Sequence, residues 1–275
     1  MRTLTNVPKR TLFLASIAAL LSIFALVAII QSASGLDRGV TENSDVKRLR
    51  PEVVASYPHD EEAFTQGLLI ADDELLESTG LRGESTLRRV DLESGDVLQE
   101  VDVEPELFAE GLAQVDDRLI QLTWQSGVAI VYQADTFTEI ERYTYDNEGW
   151  GLCHDGTQLV MSDGSSQLHF RDQTTFAKTS SVDVTLDGEP VKGLNELECV
   201  DDSVYANVWQ TDQIVVVDPS TGDVTAEIDA TGLLDRQAFP SADVLNGIAY
   251  DEDSDRFYLT GKHWPTIYEV RWVTR

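Results

Sequence analysis

A short phrase that sets a polar or aromatic side chain beside a small, apolar step returns along the chain. It reads Phe64-Thr65-Gln66-Gly67-Leu68, Phe108-Ala109-Glu110-Gly111-Leu112, Glu148-Gly149-Trp150-Gly151-Leu152, Leu194-Asn195-Glu196-Leu197 and Leu245-Asn246-Gly247-Ile248. Thirteen residues after Gly67, Gly111, Gly151 and Glu196, an apolar run closes on Gly80, Trp124, Gly164 and Trp209; fifteen after Gly247, it closes on Lys262. If both phrases reach the same end of the fold, Gln66, Glu110, Glu148, Trp150, Asn195 and Asn246 meet Trp124, Trp209 and Lys262. Aromatic walls around a few fixed polar groups are the make-up of a ligand pocket. Each polar residue taken singly also has a structural reading, which is to satisfy strand ends at a crowded axis through ordered water.

Only a repeated β scaffold can bring such distant residues together. After the two phrases comes a third β-rich stretch, such as Thr86–Asp91, Val128–Tyr132, Gln167–Phe170 and Gln213–Asp218, and turns such as Asp91-Leu-Glu-Ser-Gly95 and Asp218-Pro-Ser-Thr-Gly222 lead into a fourth. Four-stranded units repeating every 40–50 residues or so are the mark of propeller blades. The expected fold is therefore all-β, a five-bladed β-propeller over residues 51–275, behind an N-terminal transmembrane or signal helix. The last unit has three strands of its own, ending at Trp272, and Val53–Tyr57 is expected to supply the fourth and close the ring. The first phrase forms the innermost strand, where glycine lets neighbouring backbones approach at the axis.

Composition frames the setting. Forty-nine acidic against twenty basic residues give a net charge of −29, a surface that repels phosphate backbones and excludes nucleic acid as a partner. Such self-repulsion is best tolerated where salt screens it. Residues 1–34 follow other rules: Arg2, Lys9 and Arg10 precede residues 11–30, which carry no charge. A helix of that length rises about 30 Å, enough to cross a bilayer core, with the basic end inside and the remainder exported. The length favours an uncleaved signal-anchor, while Ser32-Ala33-Ser34-Gly35 keeps a cleaved signal peptide open. Residues 35–50, polar and aperiodic, read as a flexible stalk. The chain is expected to be membrane-anchored facing outside (periplasm or cell surface) or secreted, and monomeric. His59, His154, His169 and His263 show no metal-binding spacing; a structural Ca²⁺ held by loop carboxylates stays open in so acidic a chain, although no loop shows its ligand pattern. Cys153 and Cys199 sit just past the inner-strand phrase of adjacent units; export permits a disulfide, and two buried thiols are the alternative.

The phrases FTQGL, EGWGL, LNELE, NVWQTD and LNGIAYD, with TGKHWP near the end, resemble the plant and bacterial glutamine cyclotransferases from about Phe64 to Trp272. The resemblance implies a five-bladed propeller and a metal-independent, cofactor-free transferase that closes the N-terminal glutamine of peptides and proteins into pyroglutamate and releases ammonia. It also implies that Glu110 is the general acid/base. Gln66, Trp124, Trp150, Asn195, Trp209 and Lys262 fall where the family places its pocket. Ala109, where glycine is expected, and the two cysteines depart from the pattern without removing a proposed catalytic group. The chemistry suits these types: a carboxylate to carry a proton from the attacking α-amine to the leaving amide nitrogen, donors such as Asn195 and Lys262 for the oxyanion, and indoles to exclude water. Two other classes stay in view: a non-catalytic platform binding peptide N-termini, and a metal-dependent lactonase-type propeller hydrolase.

Overall fold

The computed structural model describes residues 46–71 and 74–275. The expected helix within residues 1–34 and the stalk up to residue 45 lie outside them. Among the described residues every regular element is a strand. After β1 (Lys47–Pro58), the first repeat folds as β2 (Thr65–Ala71), β3 (Glu74–Thr79), β4 (Thr86–Val90) and β5 (Val97–Asp102). The second gives β6 (Ala109–Val115), β7 (Arg118–Thr123), β8 (Val128–Gln133) and β9 (Glu139–Thr144). The third gives β10 (Leu152–His154), β11 (Leu159–Met161), β12 (Gln167–Arg171) and β13 (Lys178–Asp183). A short hairpin, β14 (Thr185–Leu186) and β15 (Glu189–Pro190), follows. It turns at Asp187-Gly188, both at positive φ, as two-residue hairpin turns require. The chain continues as β16 (Leu194–Val200), β17 (Ser203–Val208), β18 (Gln213–Val217) and β19 (Val224–Asp229), then β20 (Leu245–Asp251), β21 (Arg256–Gly261) and β22 (Thr266–Thr274).

Each repeat is an antiparallel meander. The two C-terminal ones merge through β1 into one sheet of order β16-β17-β18-β19-β1-β22-β21-β20. Val53–Tyr57 does pair with β22, Val53 opposite Val270 and Tyr57 opposite Ile267. The strand starts earlier than composition suggests. Lys47–Leu49 also pair in parallel with Ala226–Ile228 of β19, so Lys47–Arg50 belong to the sheet and not to the stalk. The polar composition misleads because the backbone finds partners on both sides and Leu49 packs on the neighbouring core.

The repeats pack face to face like a propeller, which explains why alternation is weak in the middle strands. β3 and β8 are buried along nearly their whole length, whereas the outer strands β5, β9 and β13 are largely exposed. An apolar cluster fills each interface. Leu76 and Leu87 pack with Leu112, Leu119 and Ile130; Ile120 and Val131 pack with Leu152 and Met161. Val160 and Phe170 pack with Leu197 and Val215, and Ile214 and Val216 with Ile248 and Phe257. Ala249, Tyr258 and Ile267 then pack against Leu68 and Leu75, returning to the first repeat.

The glycines expected at the axis are required there. A Cβ on Gly111 would come 2.5 Å from the Leu152 nitrogen, and one on Gly151 would overlap the Asn195 carbonyl oxygen. Of the two states open to the cysteines, the disulfide is the one formed. It joins Cys153 of β10 to Cys199 of β16, with Cα atoms 5.5 Å apart across a separation of 46 residues. Closing a loop of that size removes about 4 kcal/mol of unfolded-chain entropy in the loop-closure picture.

Candidate active site

The first strand slips register where its polar residue stands in every repeat but the third. Pairing skips from Thr65 to Gly67, from Ala109 to Leu112, from Leu194 to Leu197 and from Leu245 to Ile248. Such bulges release a residue from the ladder and re-aim its side chain. Gln66, Glu110, Asn195 and Asn246 are the residues released, and all four are buried. In the third repeat Trp150 precedes β10 and is tied by its backbone N–H to the Ser162 carbonyl at 3.0 Å.

A cavity of about 350 Å³ opens above these bulges. Gln66, Glu110, Trp124, Trp150, Asn195, Trp209 and Lys262 all line it. At its floor Gln66 Nε2 donates to Glu110 Oε1 at 3.0 Å, and Asn246 Nδ2 donates to Gln66 Oε1 at 3.2 Å and to the Thr65 carbonyl at 2.9 Å. This chain sets the Gln66 amide so that its N–H faces the carboxyl, leaving Glu110 Oε2 for another partner. The Glu110 backbone is held from behind: its carbonyl accepts from Ser78 Oγ at 2.5 Å, and Ser78 accepts from Gln121. Burial pushes the Glu110 carboxyl well above the ordinary carboxylate range; the Lys262 ammonium opposes that rise and Glu148 adds to it. Burial in turn lowers Lys262, against the charges of Glu110 and Asp243. The Lys262 ammonium sits 4.5 Å from the centre of the Phe64 ring. Asn195 Oδ1 is buried without a hydrogen-bond partner.

The walls are aromatic. Phe64 meets Phe108 edge to face at 6.1 Å, and Phe108 meets Trp124 at 5.6 Å. Trp150 meets Trp209 edge to face at 5.4 Å. Trp209 is 42% exposed and forms the open side. Glu148 and Asn246, expected at the channel mouth, stand one layer back, Glu148 behind the indoles and Asn246 beneath Gln66. Phe64, Phe108, Gln210, Asp243 and Val244 also line the cavity. A sign of two of them was present, since Phe64 and Phe108 each stand two residues before the polar residue of their phrase. Asp243 and Val244 come from the irregular approach to β20, where no periodicity marks them.

A larger cavity of about 500 Å³ lies at the far ends of the first strands, lined by Gln114, His154, Glu198, Asp251 and Asp253 among others. It contains none of the groups above and lacks their convergence of aromatic walls on fixed polar atoms, so the smaller cavity is the candidate site. None of the histidines lines the smaller cavity; His59 bonds Glu77, His154 bonds Gln173, His169 bonds Asp163 and His263 bonds the Glu61 carbonyl. Among the described residues, no three His, Cys, Asp or Glu side chains gather as a metal-binding group.

Comparison with known proteins places this architecture. The chain is 41% identical over 228 residues, 80% of its own length and 70% of the relative's, to a glutaminyl-peptide cyclotransferase of Arabidopsis thaliana. It is similar to the crystal structure of the Myxococcus xanthus glutaminyl cyclase, with a TM-score of 0.78 and 38% identity over 84% of this chain and 99% of that one. The profile of the family described as glutamine cyclotransferase matches residues 22–272. The chain belongs to the glutamine cyclotransferase family.

Proposed function

We propose that this chain is a glutaminyl-peptide cyclotransferase, which converts the N-terminal glutamine of peptides and proteins to pyroglutamate and ammonia with Glu110 as the proton shuttle. The observation that carries the reading is the buried Glu110 carboxyl, bonded on one oxygen by Gln66 and open on the other, at the floor of an aromatic-walled cavity of about 350 Å³. The α-amine attacks the γ-carboxamide carbon, and Glu110 Oε2 takes a proton from the attacking nitrogen as the ring C–N bond forms. The same proton passes to the amide nitrogen as the C–NH₂ bond breaks, so ammonia leaves and the carboxylate is restored. A carboxyl raised well above its ordinary range by burial holds a proton more readily than an exposed carboxylate, which suits both transfers. Lys262 donates to the oxyanion. Asn195, whose side chain lines the cavity, is the second donor to the oxyanion. The indoles hold the chain folded and exclude water, and effective molarity supplies much of the acceleration.

Several wider features belong to the same reading. The succession of apolar interfaces that returns to the first repeat supports five blades closed by β1. The charge-free residues 11–30 behind Arg2, Lys9 and Arg10 support an N-terminal signal-anchor, with a stalk ending before Lys47 and the catalytic domain exported to the periplasm, the cell surface or the medium. The Cys153–Cys199 disulfide suits that oxidising side. The strong negative charge supports a monomer.

The test is ammonia release from a Gln-initiated peptide beside its N-acetylated form. Turnover of the free peptide alone is expected, and Glu110→Gln should lower kcat by about 10²- to 10⁴-fold with little change in folding. Full activity in that variant would remove the shuttle from Glu110; a folded wild-type chain that never turns over would leave a peptide-binding platform.

A further inference from the structure

Glu148 does not line the cavity, yet it is built into its wall. Its Oε2 accepts from Trp124 Nε1 at 2.8 Å and from Trp150 Nε1 at 3.0 Å, and its Oε1 accepts from Gln125 Nε2 at 2.9 Å. The two indoles come from different repeats, Trp124 from the end of β7 and Trp150 from the approach to β10. Each ends a run of edge-to-face rings, Phe64–Phe108–Trp124 on one side and Trp150–Trp209 on the other. The runs join through this one carboxylate oxygen. The connection carrying it is fixed too: the Gly149 N–H donates to the Trp124 carbonyl at 2.9 Å, and a Cβ on Gly149 would overlap the Tyr145 hydroxyl.

We propose that Glu148 is a positioning residue for the cyclisation, whose shared acceptor oxygen sets the planes of Trp124 and Trp150 and so the width of the cavity between two repeats. This rests on the cyclotransferase reading. An indole is held by packing and by its one donor; without the acceptor, both N–H groups lose their partner and both rings can turn about the side-chain axis. The substrate then loses its walls, while Glu110, Gln66 and Lys262 stay where they are. Towards the indoles the carboxylate acts as an acceptor; its charge reaches the floor only as the smallest of the influences on Glu110. Burial alone would raise the Glu148 carboxyl, but the bonds from Gln125, Trp150 and Trp124 outweigh that and hold it below the ordinary range.

Three variants separate acceptor from charge. Glu148→Gln keeps an oxygen at the reach of both indoles, with the Gln125 amide turning to meet the new N–H. Glu148→Asp keeps the charge but falls one methylene short, and Glu148→Leu removes both. Two hydrogen bonds of about 1 kcal/mol each, at 1.4 kcal/mol per decade, give an expected rise in KM of about thirtyfold for Asp and Leu, with kcat less affected. Gln should stay within about threefold of wild type. Near-ultraviolet circular dichroism, which reads indole order without substrate, should weaken in Asp and Leu and survive in Gln. Wild-type KM and dichroism in the folded Asp variant, or a Gln variant as impaired as Asp, would overturn the proposal. A wild-type chain that releases no ammonia would instead sink the cyclotransferase reading, and the dichroism would still decide the role of Glu148.

Discussion

The two ionisable groups at the floor of the cavity are pulled towards each other by burial: Glu110 rises, Lys262 falls, and each charge partly offsets the shift of the other. The Lys262 ammonium favours the ionised carboxylate and so holds the Glu110 pKa down; removing it lets that pKa rise further. The proton-accepting form then appears only at higher pH. Lys262→Gln should therefore lower the rate and also move the acid limb of kcat/KM to higher pH, a shift read from a pH–rate profile. A limb that stays in place or moves down would show that Glu110 does not feel this charge. At this scale much was legible, since Glu110 and its companions carry the recurring phrases. Which oxygen of Glu110 is free was not, because that depends on Asn246 turning the Gln66 amide from another repeat.

Strands set the aim of these side chains. A bulge at the polar residue of the first strand turns it to the axis, and glycine beside it lets the neighbouring first strand close in. Gly151 is the sharpest case, because its missing Cβ leaves room for the carbonyl of Asn195 on β16. Gly151→Ala should destabilise the fold by about 1–3 kcal/mol through overpacking, measured by denaturant unfolding. It should also raise KM, because the strand that yields carries Asn195. Unchanged stability and KM together would mean that the two strands move apart freely. The glycines announced themselves in the phrases, but the bulges did not: a register slip is a property of two paired strands. Lys47–Arg50 taught the reverse lesson, a polar segment recruited into a sheet because edges lay open on both sides of it.

For the molecule as a whole, the surplus of acids dominates. Several basic side chains are engaged in ion pairs, such as Arg89 with Glu74 at 3.0 Å and Arg236 with Asp212 at 2.7 Å, and the net charge of −29 leaves most acids without a counter-charge. Exposed pairs contribute little each, whereas the unbalanced charge opposes compaction everywhere and is screened within about 10 Å at 0.1 M salt. The melting temperature should accordingly rise from low to molar sodium chloride in a thermal unfolding series. A midpoint independent of salt would show that the shell is neutralised by its own geometry. The face-to-face packing of the repeats explains why this surface can be so acidic: the apolar residues are spent in the interfaces, and the outer strands are left to water.

The sequence by itself determined the all-β architecture, the repeat, the pairing of Val53–Tyr57 with the last strand and most of the residues that line the cavity. These are written in local periodicity and in the spacing of short phrases, which each segment carries alone. Tertiary structure alone decided the disulfide against free thiols, the extension of β1, the layer behind the cavity formed by Asn246 and Glu148, and the part played by Asp243 and Val244. Each of these depends on which atoms of different repeats come within bonding distance. That distance is fixed by how the sheets pack on one another, and no single segment encodes it.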